Sequence, residues 1–379
     1  YPHEILGFAP YDGVLVSRGI VGDHRVAGKY SASQARRFAL VGARNFLRLE
    51  GPDFTGLDIF GDCGAFTYVQ EDTPPYSPAE MAEFYDDCGF THGCSVDHII
   101  FDFNPTLKGS GGGSQEARRR QQITLENADA FRRETRAAGA AFTPMGVVQG
   151  WSPGSMADAA RQLVAMGYDY LAIGGMVPLR APEIKLCLSA IREAIPRETR
   201  IHILGFAKAD DIEGFRNFGI DSFDTTSPLI RAFKDGSRNF YLPGSGRALR
   251  YYTAVRVPQA IENPRLQRLV KRGTFNAEDL LRLERAALDG LRSLDRGECE
   301  VEPALTEIIE YNAPLALLAE RYRRTLTDRP WTQCACAVCR QASVDVIIFR
   351  GSNRNKRRGI HNLGVYRAHV KRLEIKHVG

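Results

Sequence analysis

The stretch FTPMGVVQGWSPGSMADAARQLVAMGYDYLAIGG, Phe142–Gly175, holds one complete structural repeat. Its two ends, FTPMGVVQG and YLAIGG, are short β-rich runs that close on polar or glycine residues. Between them, SPGSMADAARQLVAMG opens on Ser152-Pro153 and closes on Gly167, the start and stop signals of a helix. Working outward, LDIFGDCG (Leu57–Gly64), SVDHIIFDF (Ser95–Phe103), IHILGF (Ile201–Phe206) and DSFDTTSP (Asp221–Pro228) are further strand-like runs. Segments with helical spacing separate them: SQEARRRQQITLENADAFRRETRAAG (Ser114–Gly139), APEIKLCLSAIREAI (Ala181–Ile195) and KADDIEGFRNFG (Lys208–Gly219). Strand and helix alternate with a period of roughly 25–35 residues, the span of a βα unit. Parallel strands covered by helices are therefore predicted, in an α/β fold. A (β/α)8 TIM-type barrel fits the length. An open doubly wound sheet is the alternative, but no G-x-G-x-x-G follows the first strand.

The 379 residues are 44% hydrophobic and 25% charged, which suits a large core rather than a disordered chain. No apolar run reaches the roughly 18–20 residues of a membrane span. YPHEILGFAP (Tyr1–Pro10) lacks a basic start followed by an apolar core, so no secretory leader is expected and the compartment is read as cytoplasmic. Residues 1–250 are expected to hold most barrel strands. NAEDLLRLERAALDGLRSLDRG (Asn276–Gly297) and ALTEIIEYNAPLALLAERYRRTL (Ala304–Leu326) make 251–330 an inserted helical region. Residues 331–379 then carry a cysteine-rich subdomain, the strand-like VDVIIF (Val344–Phe349) and a terminal helix completing the barrel. KGSGGGSQ (Lys108–Gln115) is read as a flexible loop or a linker.

TQCACAVCR (Thr332–Arg340) crowds Cys334, Cys336 and Cys339 together. In a reducing compartment such a cluster points to metal rather than a disulfide framework. A redox pair at Cys336 and Cys339 is the other reading. The net charge is only +5. It is concentrated in RGSNRNKRRG (Arg350–Gly359), where Arg354, Lys356, Arg357 and Arg358 suit a phosphate backbone or a solvated charged face.

In a βα barrel the chemistry sits at the C-terminal ends of the strands. The polar residues there are Asp62, Asp97, Asp102, Gln149 and Asp224, with Gly174 and Gly175 beside them. Converging carboxylates suit acid/base and nucleophilic work. The plainer reading of any one of them is a helix cap. The two glycines permit a tight turn or the close approach of a flat ligand.

Taken in order, these motifs resemble the queuine-type tRNA-guanine transglycosylase superfamily. GDCGAF resembles its D-S-G-G-[FY], FDF at Phe101–Phe103 its F-D-E, GVVQG its G-I-V-Q-G and YLAIGGM its A-I-G-G-L. ILGFAKADDI resembles L-M-G-V-G-x-P-x-D-[IL], and DSFDTTSP resembles D-x-F-D-C-V-x-P. CACAVC with IHNLGVY resembles the family's C-x-C-x-x-C followed by I-H-N-L. The resemblance implies a (β/α)8 barrel and a zinc-binding subdomain with Zn2+ held structurally by Cys334, Cys336, Cys339 and His361. It implies Asp224 as nucleophile, Asp62 as general acid/base, and Asp102, Gln149, Gly175 and Cys63 as contacts to the base. The implied reaction exchanges guanine in a polynucleotide for a free 7-deazaguanine.

The chain departs from the tRNA enzymes at several places. Leu229 and Ile230 stand where those enzymes carry Thr and Arg, Ala65 replaces a glycine, and Phe103 a glutamate. Trp151 follows V-Q-G, as a base-stacking residue or part of the rim. These departures resemble the DpdA-type branch, which implies insertion of 7-cyano-7-deazaguanine into DNA. Modification of tRNA is the first alternative, and a non-catalytic zinc and nucleic-acid-binding protein the second. Partner proteins of a DNA-modification gene cluster and a homodimer, the state of the tRNA enzymes, stay open.

Overall fold

The computed structural model describes residues 1–107, 109, 111–206, 208–245, 248–315 and 318–374. Lys108 and Ser110 of the glycine-rich stretch lie outside them. By internal contacts the chain forms two compact units, Tyr11–Thr225 and Tyr1–Pro10 with Thr226–Gly379.

The unit Tyr11–Thr225 is built on seven strands: β1 (Gly13–Ser17), β2 (Asp58–Asp62), β3 (His92–Cys94), β4 (Thr143–Val148), β5 (Tyr170–Ile173), β6 (Arg200–Ile203) and β7 (Ser222–Phe223). Every neighbouring pair is parallel, and the order in space is the order in the chain. A doubly wound sheet reverses its order at a switch point. This sheet has no reversal, which sets that alternative aside. Leu15, Phe60, Cys94, Met145, Tyr170 and Leu204 meet in one apolar cluster. The rings of Phe60 on β2 and His202 on β6 have centroids 5.0 Å apart. Adjacent strands are already about 4.8 Å apart, so this contact requires the sheet to curl on itself.

Two glycines let a helix close on the outer face. Gly61 and Gly93 are register partners on β2 and β3. A Cβ would lie 2.2 Å from the Tyr85 ring at Gly61 and 2.4 Å at Gly93. The helix Pro78–Asp87 therefore lays Tyr85 flat across the pair. Helix ends follow the predicted signals. Ser152 and Ser114 accept backbone N–H groups at the starts of Pro153–Ala165 and Gln115–Ala138, and Gly139 ends the latter at φ 61°. KADDIEGFRNFG differs: Ala209–Phe218 is a 3-10 helix rather than an α-helix. Adjacent aspartates and Gly214 are poor α-formers, which accounts for the difference.

The other unit gathers the helices Pro264–Lys271, Ala277–Arg296, Val301–Asn312 and Ala319–Asp328, the antiparallel pair β8 (Phe240–Pro243) and β9 (Leu249–Tyr252), and the helix Gly351–Glu374. Leu266, Leu291, Ile308, Trp331, Val338 and Ile347 share one core. The helical region and the cysteine-bearing segment thus fold around the same apolar centre. No described helix is long and apolar enough to cross a membrane.

Two expectations near the C-terminus are corrected. VDVIIF is mostly a 3-10 turn, Ser343–Ile347, and only Ile348–Phe349 pairs as strand, with Val255–Arg256. A continuous apolar run carries no periodicity that tells strand from helix. The basic stretch forms the first turns of the last helix, with His361 well inside it. Helical spacing turns Asn355, Arg358, Gly359 and Asn362 inward. Arg358 is 0% exposed, so it is not the expected phosphate contact. Its guanidinium donates to the carbonyls of Val346, Ile348 and Ala232 and to Asn355 Oδ1. Arg354 is partly buried beside Asp345 at 3.4 Å, and Lys356 and Arg357 are exposed. Arg358→Ala would orphan three buried carbonyls and is expected to cost about 3 kcal/mol or more in urea unfolding. A loss under about 1 kcal/mol would contradict the buried role.

Candidate active site and metal centre

The parallel order brings the C-terminal ends of β2 to β7 to one rim. Asp62 closes β2. Its Oδ2 accepts the Gly64 N–H at 3.1 Å, and Ser17, at the end of β1, also hydrogen-bonds it. Asp97 is buried in the segment after β3, and ligating atoms of Asp62, Cys63 and Asp97 lie within 4.8 Å of one another. Burial above all, then the charge of Asp97, pushes the Asp62 carboxyl up to about 7, with a smaller push from Asp224. Burial raises Asp97 as well, against the hydrogen bonds it accepts from Cys63 and Gln149.

Those bonds define the back of the pocket. Gln149, just beyond β4, donates through Nε2 to Asp97 Oδ2 at 2.7 Å, while its Oε1 accepts the Ile100 N–H at 3.4 Å. The Gln149 amide lies so close to Gly174 that a Cβ there would be 2.4 Å from Nε2, and Gly175 turns at φ +71° beside Oε1. Both glycines are therefore required by the backbone after β5. Cys63 is 0% exposed; its thiol donates to Asp97 Oδ1 at 2.9 Å and accepts from the Tyr68 hydroxyl. The expected side-chain contact of Cys63 with a base is replaced by support of Asp97.

Asp224 follows β7. Its Oδ1 accepts the Gly205 N–H at 2.8 Å and faces His202 Nε2 at 3.4 Å. His202 Nδ1 is 2.6 Å from Ser222 Oγ, which is 2.6 Å from the Tyr170 hydroxyl. The chain is satisfied when Tyr170 donates to Ser222 and Ser222 donates to Nδ1, leaving Nε2–H for Asp224. Asp102 stands apart from the buried cluster. It is exposed, and its Oδ2 accepts from Ser114 Oγ at 2.7 Å. Trp151 is a rim residue: buried, packed with Ile100 and Ala117, and donating to the Gly111 carbonyl. Phe66 and Phe101 are 56% and 48% exposed, with ring centroids 6.1 Å apart. Sequence reasoning noted Asp97 without assigning it a part, and missed His202, Ser222, Tyr170 and the two phenylalanines. A histidine inside the apolar run IHILGF was the available signal for the first of these.

The cysteine cluster converges on one imidazole. Sγ of Cys334, Cys336 and Cys339 lie 3.6, 3.4 and 3.3 Å from His361 Nδ1. Tetrahedral zinc, with Zn–S near 2.3 Å and Zn–N near 2.0 Å, separates sulfur from nitrogen by about 3.5 Å. The other ring nitrogen donates to the Tyr241 carbonyl at 2.8 Å, which leaves the Nδ1 lone pair facing the thiols. The next residue, Asn362, accepts the Tyr241 N–H. Both backbone groups of one residue on β8 are thus gripped by the terminal helix. The four side chains can hold a metal ion such as zinc.

Two outcomes follow from this geometry. Cys336→Ser should lose bound metal and melt several degrees lower, because metal binding and folding are coupled; unchanged metal content and melting would contradict the site. Asp62 is held above its ordinary value of 3.8, at about 7. The unfolded chain therefore releases this proton first, and the fold loses stability as pH rises between those values. Asp62→Asn should raise the melting temperature at pH 8 and leave it unchanged near pH 4. Equal shifts at both pH values would contradict the burial argument.

Comparison with known proteins agrees with this architecture. A family profile described as "Queuine tRNA-ribosyltransferase" matches residues 99–246. A "DNA-guanine transglycosylase" of Salmonella montevideo is 41% identical over 373 residues, covering 96% of this chain and 87% of that protein. A "Queuine tRNA-ribosyltransferase" of Gluconacetobacter diazotrophicus is 30% identical over 98 residues, 25% of each chain. The chain therefore belongs to the tRNA-guanine transglycosylase superfamily, in the branch of the DNA-guanine transglycosylases, and is a guanine transglycosylase enzyme.

Proposed function

We propose that the protein exchanges guanine in DNA for 7-cyano-7-deazaguanine through a covalent aspartyl-nucleotide intermediate. One observation carries this reading: two carboxyl groups share a rim but are held differently. Asp62 keeps a proton to about pH 7, while Asp224 is aimed by the Gly205 N–H and His202. Such a division suits one acid/base and one nucleophile. The target nucleotide leaves the stack. An Asp224 oxygen bonds to C1′ as the C1′–N9 bond breaks, with oxocarbenium character at the sugar. Asp62 gives its proton to the departing guanine. As a carboxylate it then takes the N9 proton of the incoming base. The N9 electron pair forms the new C1′–N9 bond, and Asp224 is released as carboxylate. One base leaves for each that enters, and nothing is oxidised.

Recognition in this reading uses Asp102 as acceptor for the base's N1–H and exocyclic amine. Gln149 keeps a second Nε2 hydrogen for O6, Gly175 offers its backbone, and the exposed rings of Phe66 and Phe101 stack on a flat base. The seven parallel strands are read as part of a complete (β/α)8 barrel. Cys334, Cys336, Cys339 and His361 would hold Zn2+ as a closed structural cross-link. Lys356 and Arg357 are the remaining phosphate contacts of the basic stretch. The free thiols and a DNA substrate suit the cytoplasm, within a DNA-modification system. Action on tRNA is the second reading, favoured by the names of the family profile and of the Gluconacetobacter relative.

Labelled guanine in duplex DNA should be displaced by free 7-cyano-7-deazaguanine, and Asp224→Ala should abolish the exchange. Withholding the incoming base should leave a protein–DNA adduct that survives denaturation. Exchange into tRNA alone would overturn the DNA reading.

A further inference from the structure

The unit that carries the metal centre also carries a cleft of about 460 Å3 that none of this chemistry uses. Four arginines, Arg238, Arg250, Arg321 and Arg324, line it with Tyr251 and Tyr252. Arg321 and Arg324 come from one face of the helix Ala319–Asp328; the tyrosines and Arg250 come from β9, and Arg238 from the turn before β8. Nothing in the sequence marks the set, because its members are scattered over three elements.

The arginines are held by their faces. The Arg238 guanidinium lies 4.4 Å from the Tyr251 ring centroid. Those of Arg324 and Arg250 lie 5.0 and 5.5 Å from the Tyr252 centroid. Stacking of this kind uses the guanidinium plane and leaves its N–H edge as a donor. Little neutralises the four charges. Asp328 sits 3.8 Å from Arg324 and is already bonded by the Tyr252 hydroxyl. Arg250 donates to Gln333, but its buried Nε has no hydrogen-bond partner. Arg238 and Arg321 are exposed, and neither side chain has an ion-pair partner among the described residues.

We propose that this cleft binds the phosphodiester backbone of the DNA strand, without reading its bases. The inference rests on the reading of DNA as substrate. A polyanion answers four guanidinium groups set against one carboxylate. The tyrosine faces are covered by guanidinium groups, so they do not offer a platform for base stacking. A protein partner would look for a buried apolar anchor, and the cleft supplies none.

The test uses the full-length protein and fluorescence anisotropy with two duplexes of unrelated sequence, across a range of salt concentrations. Arg238→Ala with Arg321→Ala breaks no ion pair among the described residues, and melting and metal content verify that the variant is intact. Its plot of log affinity against log salt should be shallower by about 2, at about 0.9 per phosphate contact, equally for both duplexes. Arg321→Gln alone should remove about 1, and lysine at both positions should restore most of the slope. An intact variant with unchanged slope overturns the cleft, and leaves the functional reading standing if the wild type still exchanges guanine in DNA. A loss confined to one duplex, or to tRNA, also overturns it. A wild type that neither binds DNA nor exchanges its guanine overturns both.

Discussion

Two neighbouring carboxyl groups, one buried and one partly buried, resist ionising together, and the pocket is organised around that constraint. Asp97 is the inner member. It accepts from the Cys63 thiol and the Gln149 amide, and Tyr68 reaches both Cys63 and the Asp97 carbonyl. Asp62 is the outer member, and it holds its proton to about 7. Removing Asp97 would therefore change two things together: the proton on Asp62 and the orientation of Gln149. The glycines at 174 and 175 belong to the same constraint, since the amide that bonds Asp97 fills the space their side chains would take.

The second carboxylate of the chemistry is supported from a different side. Asp224 is reached through Tyr170, Ser222 and His202, which lie on three neighbouring strands, β5, β7 and β6. Strand register sets this chain: His202 pairs with Ser222 across β6 and β7, and Tyr170 begins β5 beside them. The curl that brings Phe60 against His202 closes the apolar side of the imidazole. Sheet geometry and the aim of the reactive oxygen are in this sense one property.

What could be read in the sequence divides along a physical line. The alternation of strands and helices was legible because caps, glycine stops and apolar periodicity are local signals, except that SVDHIIFDF is not a strand: β3 is His92–Cys94, just before it. The rim carboxylates were legible because parallel strands place their C-terminal ends together. Burial was not legible. Asp97 and Asp102 lie in the same run, SVDHIIFDF, and only packing makes one buried and the other exposed. Arg358 misled for a related reason. Composition reports charge but not helical phase, and on this helix asparagine, arginine and glycine take the inward side while Lys356 and Arg357 face out. Cys63 stood in a motif position that suggests substrate, yet tertiary hydrogen bonds turn its thiol inward. His202 and the arginine cleft were hidden because their partners come from distant segments.

The grip of His361 and Asn362 on Tyr241 bears on how firmly the candidate metal site keeps its fourth donor. Three of the four donors lie on a short loop and the short helix Ala337–Ala342, where local breathing is easy. The fourth is seated inside a long helix and tethered to β8 by its second nitrogen. Fraying of the helix ends does not release it. Withdrawing this donor would require the helix to lift from the strand, and the Tyr241 N–H, held by Asn362 on the same helix, would be freed in the same opening.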